Sequence, residues 1–200
     1  MKFDLVLTGV GGEGVLTTGV MITKAAHEQG HYVRGVQLHG LAQRGGTIPT
    51  YIRFGDKEEI HSPSPMKSDA DLIMSFEPIE AVRATEYARK DKTDFILNTY
   101  PYMPIYGNLE NVPYPSIEEI KSRIKPFAKS IEVFKSDIIA KKKFGDIIYG
   151  NVLLVGAAIS SGKLPIDEEV MKKSIEELVP RGKEKNLKAF ELGLEMGKNK

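Results

Sequence analysis

This 200-residue sequence predicts an α/β layered fold with a mainly parallel sheet flanked by helices. Three observations predict it. Short apolar or β-branched runs alternate with segments of helical periodicity along the chain. A glycine cluster follows the first run at once and opens the first helix. No linker, internal repeat or low-complexity tract divides the chain, so residues 1–200 read as one Rossmann-like domain.

Phe3–Thr8 is a compact apolar run of the kind buried in parallel sheets. From Val15 to Gln29, Val15, Leu16, Met21, Ile22, Ala25 and Ala26 recur near a period of 3.6, and Gly30 stands where a helix stops. His31–Val36 resumes strand character, which completes a βαβ unit. Ile48–Phe54 alternates as a strand. The turn pair Gly55-Asp56, with Glu59–His61 as a returning arm, suggests an antiparallel hairpin. Ala70–Phe76 reads as a core strand, and Pro78–Lys90 as a helix with proline in its first turn. Phe95–Asn98 is a further strand. Tyr100–Ser116 carries Pro101, Pro104, Pro113 and Pro115 among tyrosines, which favours extended structure, either a surface connection or a partner-facing segment. Ser116-Ile-Glu-Glu119 forms a capping box for a helix to Lys125. Ser130–Lys135 is a strand. Helices follow over Ser136–Phe144, Asn151–Ser160, Asp167–Leu178 and Lys183–Gly197.

Lys plus Arg number 28 against 27 for Asp plus Glu, without the basic excess of a nucleic-acid binder. The run Lys141–Lys143 reads as the solvated last turn of a helix. There is no cysteine, which removes disulfides, thiolate nucleophiles and Cys-ligated zinc or iron–sulfur centres. No stretch approaches the ~20 apolar residues of a membrane span. The N-terminus enters a strand without a secretory pattern, so a cytoplasmic location is expected.

Gly9, Gly11 and Gly14, with Gly12 and Glu13 between them, match G-x-G-x-x-G between a strand and a helix. Such a turn aims free helix amides at an anion. Three readings are open: a dinucleotide site, an inert tight turn, or an anion or cofactor loop of another kind. Against the first, the second strand ends Val36-Gln37 with no carboxylate for a ribose hydroxyl. Glu13 is also awkward, because a carboxylate within the loop repels a pyrophosphate. Gln37–Thr47 forms a second polar cluster, containing His39, Gln43, Arg44, Gly45 and Gly46. Glu77 and Asn98 follow two other strands toward the same edge, where open α/β sheets place ligands. Arg44 suits a carboxylate, a phosphate or a partner subunit. His39 and His61 lack a third metal ligand, so no metal site is expected, and no Gly-x-Ser-x-Gly elbow marks a hydrolase.

Gly9-Val-Gly-Gly-Glu-Gly-Val15 followed by His39-Gly-Leu-Ala-Gln-Arg-Gly-Gly46 resembles the small subunit of 2-oxoacid:ferredoxin oxidoreductases, most closely the indolepyruvate branch. Further matches are Ser62-Pro63, Ala70-Asp71, Phe76-Glu77-Pro78, Asn98-Thr99, Asn151, Gly156-Ala157, Leu164-Pro165-Ile166 and Ala189-Phe190-Glu191, nearly the whole chain. Glu13 stands where the family's loop usually carries Gln. The resemblance implies a heteromer in which the large catalytic subunit carries thiamine diphosphate and 4Fe-4S clusters. That complex oxidatively decarboxylates a 2-oxoacid with coenzyme A and ferredoxin. It further implies that this chain binds no cofactor alone, and no residue of it is singled out as catalytic. Instead it lines the substrate or coenzyme A region with Gly9–Gly14 and His39–Gly46. The alternatives from the residues alone are a stand-alone NAD(P) oxidoreductase and a non-catalytic scaffold module.

Overall fold

The computed structural model describes residues 1–38, 46–103, 113–179 and 181–199. Among the described residues, β1 (Lys2–Thr8), β2 (Tyr32–Gln37), β3 (Thr50–Gly55), β4 (Leu72–Ser75), β5 (Asp94–Asn98) and β6 (Ser130–Phe134) form one sheet of order β2-β3-β1-β4-β5-β6. β1, β4, β5 and β6 run parallel, while β3 is antiparallel to both β1 and β2. The helices are α1 (Val15–Glu28), α2 (Pro78–Arg83), α3 (Ile117–Ile124), α4 (Ser136–Phe144), α5 (Gly150–Ser160), α6 (Glu168–Leu178) and α7 (Lys183–Lys198).

The layering follows from strand alternation. Leu5, Leu7, Leu72, Met74 and Ile96 point to one face and pack under α1, α5, α6 and α7. Val6, Ile73, Phe95 and Leu97 point to the other, under α2 and α3. Each fully buried Leu or Ile contributes about 1.5–3 kcal/mol. α5 is buried on all sides, with every residue from Gly150 to Ile159 out of solvent. It lies between the sheet and α7, and glycines allow the close crossing. A Cβ on Gly156 would run into the Phe190 carbonyl, and one on Gly193 into the Leu153 carbonyl.

Three expectations are corrected. The Gly55 hairpin does not form: Lys57–Glu59 is a 3-10 turn, and β3 instead pairs with strands on both sides. The βαβ unit is split, because β3 enters between β1 and β2. The helix from Pro78 ends at Arg83 and continues as a 3-10 turn over Ala84–Tyr87. There the Thr85 hydroxyl donates to the Val82 carbonyl at 2.7 Å, a local bond that competes with helical pairing. Elsewhere the caps stand as read. Gly30 is left-handed at φ 87°, and Ser116 and Glu119 form the reciprocal box. Lys141–Lys143 occupy the last turn of α4. No helix of the described residues is long and apolar enough to cross a membrane.

Candidate functional site: a cavity at the glycine loop

β1 ends at Thr8, and the chain reverses through Gly9–Gly14 into α1. A Cβ on Gly9 would lie 2.7 Å from the Val15 side chain and 3.3 Å from Phe76, so the close packing of the loop requires glycine there. Gly12 and Gly14 hold φ of 102° and 78°, a region that side chains disfavour. The loop closes on itself: the Val10 N–H donates to the Glu13 carboxylate at 2.8 Å, and the Glu13 N–H donates to the Val10 carbonyl at 3.1 Å. Its flank is held by the chain before β3. Gly11 N–H donates to the Gly46 carbonyl at 2.8 Å, and Ile48 N–H to the Gly9 carbonyl at 2.9 Å. The amides of Gly14, Val15, Leu16 and Thr17 meet no acceptor among the described residues. They form the positive end of α1 and point a donor array out of the loop.

A cavity of about 740 Å³ opens against this array. Gly11–Gly14, Thr17 and Thr18 line one end. Met21, Phe76, Ile147, Ile148, Val152 and Val179 make an apolar wall, Tyr100, Pro101, Tyr102 and Met103 a second side, and Asp137, Asn151, Arg181 and Asn186 add polar groups. Asn151, in the first turn of α5, donates to the Glu13 carbonyl and fixes the loop from below. Asp137 lies in the first turn of α4 with one carboxylate oxygen buried and without a partner among the described residues.

Burial dominates the electrostatics. It pushes the Glu13 carboxyl up to about 7, with the charges of Glu77, Asp137 and Glu80 adding to it and the Val10 amide opposing. Burial likewise pushes Asp137 up to about 6, opposed by its hydrogen bond to Asn98. Near neutral pH Glu13 therefore titrates at the cavity wall, while Asp137 is mostly ionised. The Glu13 carboxylate is nevertheless not free in the loop. Its charge faces the Val10 amide.

The structure brings Gly11, Gly12, Glu13, Gly14 and, through its hydrogen bond, Gly46 to this site. Gly9 packs behind it. His39, Gln43, Arg44 and Gly45 lie outside the described residues. Glu77 is buried away from the cavity lining. It caps α2 through the Glu80 N–H at 3.1 Å and accepts from the Tyr102 N–H at 3.2 Å and from the Tyr114 hydroxyl. Asn98 is also buried behind the wall. It donates to the Phe76 carbonyl at 3.1 Å and accepts from the Ser136 hydroxyl at 2.7 Å, which seats the start of α4. Sequence reasoning missed Asp137 and Arg181 as cavity residues, and Asn151 entered it only as a family match. Asn151 had a signal: it is the polar residue opening an otherwise apolar helix. Asp137 had none, since an acidic residue in a helix's first turn is ordinary.

A dinucleotide site is disfavoured by topology as well as by the missing carboxylate. Such folds place the second strand beside the first, whereas here β3 separates them. Arg34 on β2 is exposed and lies over the Tyr32 ring at 5.5 Å.

Comparison with known proteins follows the same lines. Residues 4–196 match the family model described as pyruvate ferredoxin/flavodoxin oxidoreductase. The indolepyruvate oxidoreductase subunit IorB of Pyrococcus horikoshii is 35% identical over 199 residues, spanning 98% of this chain and 96% of that protein. The gamma subunit of a keto/oxoacid ferredoxin oxidoreductase from Geobacter sulfurreducens shares the fold at a TM-score of 0.69 and 19% identity, covering 99% of each chain. The 2-oxoglutarate:ferredoxin oxidoreductase of Magnetococcus marinus, solved with 2-oxoglutarate, coenzyme A and succinyl-CoA bound, has a TM-score of 0.72 at 16% identity. That match covers 100% of this chain and 31% of the other.

Proposed function

The chain belongs to the pyruvate ferredoxin/flavodoxin oxidoreductase family, and from that premise we propose that it is the small subunit of a cytoplasmic 2-oxoacid:ferredoxin oxidoreductase acting on indolepyruvate and related aryl pyruvates. The complex converts the 2-oxoacid and coenzyme A to an aryl-acetyl-CoA and carbon dioxide, passing the electron pair to ferredoxin. Thiamine diphosphate and the 4Fe-4S clusters reside on the large subunit in this reading, because this chain has no cysteine to hold a cluster. The indolepyruvate assignment is supported by the 35% identity to a subunit of that name.

The observation that carries the reading is the two-ended chemistry of the cavity. Free amides at the start of α1 suit a phosphate or pyrophosphate, and the wall of Phe76, Tyr100, Tyr102, Ile147 and Val152 suits a long organic group. Coenzyme A has both parts, and when bound it supplies the thiol that accepts the acyl group. Gly14–Thr17 hold its phosphates, Asn151 keeps their amides aligned, and the apolar wall excludes water. The His39–Gly46 segment, tied to the loop through Gly46, is the candidate for contact with substrate or with the large subunit.

The test is co-expression with the large subunit. Aryl-pyruvate-dependent, coenzyme A-dependent ferredoxin reduction should appear only in the complex, while the isolated chain is inactive. Turnover by the chain alone, or purification with a tightly held nicotinamide or flavin, overturns the proposal in favour of a self-contained oxidoreductase.

A further inference from the structure

Asp137 is a buried acid at the cavity that phosphate binding and water exclusion leave without a task. It stands in the first turn of α4, is 7% exposed, and lines the cavity. One of its carboxylate oxygens is buried with no hydrogen-bond partner, and no cation pairs with the group among the described residues. A buried carboxylate left in that state is costly. The fold nonetheless holds it in place. Asn98 Oδ1 accepts from the Ser136 hydroxyl at 2.7 Å and from the Asp137 N–H at 3.5 Å, which fixes the turn that carries it. Gly150 gives the carboxylate room, because a Cβ at that position would overlap Asp137 Oδ1. Gly150 directly precedes Asn151, whose side chain bonds to the Glu13 carbonyl, and the charge of Asp137 reaches Glu13. The carboxylate therefore flanks the free amides of Gly14–Thr17, at the end of the cavity suited to a phosphate. A negative group beside an anion seat repels what the seat attracts, unless the ligand brings a donor for it.

We propose that Asp137 is a specificity-determining residue whose carboxylate accepts a hydrogen bond from a ligand hydroxyl lying close to the phosphate, and whose charge rejects anions that carry no such donor. The proposal rests on the coenzyme A reading above and deepens it. Helix amides that hold a phosphate beside a carboxylate that holds a hydroxyl form a pair of contacts that neither a bare anion nor a bare alcohol satisfies. Coenzyme A offers two hydroxyls of this kind: the pantoyl hydroxyl near its pyrophosphate and the ribose hydroxyl beside its ribose phosphate.

Titration calorimetry on the complex of full-length chain and large subunit tests this, with coenzyme A and with inorganic sulfate, an anion that has no hydrogen to donate. Asp137→Leu removes acceptor and charge together. It should weaken coenzyme A by roughly tenfold to a hundredfold and tighten sulfate by about threefold or more. Asp137→Asn keeps the shape and a neutral acceptor. It should weaken coenzyme A by a smaller factor, roughly threefold to tenfold, and tighten sulfate likewise. The opposed signs separate recognition from folding, since a merely structural role would weaken both ligands. The near-isosteric Asp137→Asn carries the same test if the leucine variant does not fold. Phosphopantetheine and adenosine bisphosphate, the two halves of coenzyme A, locate the hydroxyl: the Asp137→Leu penalty should persist with one of them. Coenzyme A affinity equal to wild type in both variants, sulfate affinity that rises in neither, or a penalty with neither half overturns this inference alone. A wild-type complex that does not bind coenzyme A removes the coenzyme A reading, and this inference with it.

Discussion

The side-chain amide of Asn151 donates to the main-chain carbonyl of Glu13, a partner 138 positions away in sequence. This bond fastens the start of buried α5 to the start of α1, so the donor array at the loop is held by the core.

Asn151→Leu keeps the volume and removes the donor, leaving the Glu13 carbonyl without its partner. A buried acceptor left unpaired costs about 1–3 kcal/mol. The thermal midpoint should fall, and coenzyme A affinity, measured by titration calorimetry on the complex with the large subunit, should drop by about tenfold. A variant that is less stable but binds normally would show that the bond serves folding alone.

Glu13 sets a pH dependence whose sign is fixed by burial. The folded chain holds its proton up to about 7, against an ordinary value of 4.5. Its contribution to stability is therefore fully present below pH ~4.5 and is lost as pH rises to ~7. Asp137 acts in the same direction, from 3.8 to about 6. Between pH 6.5 and 8, Glu13→Gln should be more stable than wild type, by on the order of 1–3 kcal/mol. It keeps an acceptor for the Val10 amide and carries no charge. Coenzyme A affinity of the wild type should decline across this range while the variant's stays level. Parallel pH profiles for the two proteins, from chemical denaturation and calorimetry, would rule this role out.

Glu77 staples the tyrosine–proline segment to the sheet edge. One carboxylate oxygen accepts from both the Tyr102 amide and the Tyr114 hydroxyl, while the other caps α2. Glu77→Ala should cost about 2–4 kcal/mol, and Tyr114→Phe about 1 kcal/mol. Hydrogen exchange should quicken in both variants at Tyr102 and at Ile79, whose N–H donates to the Tyr114 hydroxyl at 3.2 Å, with α6 and α7 unaffected. Unchanged exchange at Tyr102 in Glu77→Ala would show that the segment is held by other contacts.

What was legible from sequence was local. Helical period placed α1, the Ser116–Glu119 box marked the start of α3, and Gly30 marked the end of α1, because each signal involves residues within a turn of one another. The glycine loop was legible for the same reason: its backbone needs belong to adjacent positions. The split βαβ unit was not. Thr50–Gly55 reads as a strand in either topology, and only pairing with Lys2–Leu7 on one side and Tyr32–Gln37 on the other decides where it lies. The hairpin expected at Gly55 failed because a turn signal does not state which strand answers it.

By itself the sequence determined the kinds of element, the caps, the glycine loop between β1 and α1 and the lack of any thiolate ligand, all properties of residue type and short spacing. The tertiary structure decided that Glu13 turns its charge onto Val10, that Asp137 is buried at a cavity wall, and that Glu77 and Asn98 brace the site from behind instead of lining it. Burial and hydrogen-bond partners arise from segments far apart in the chain, so they exist only once those segments have packed.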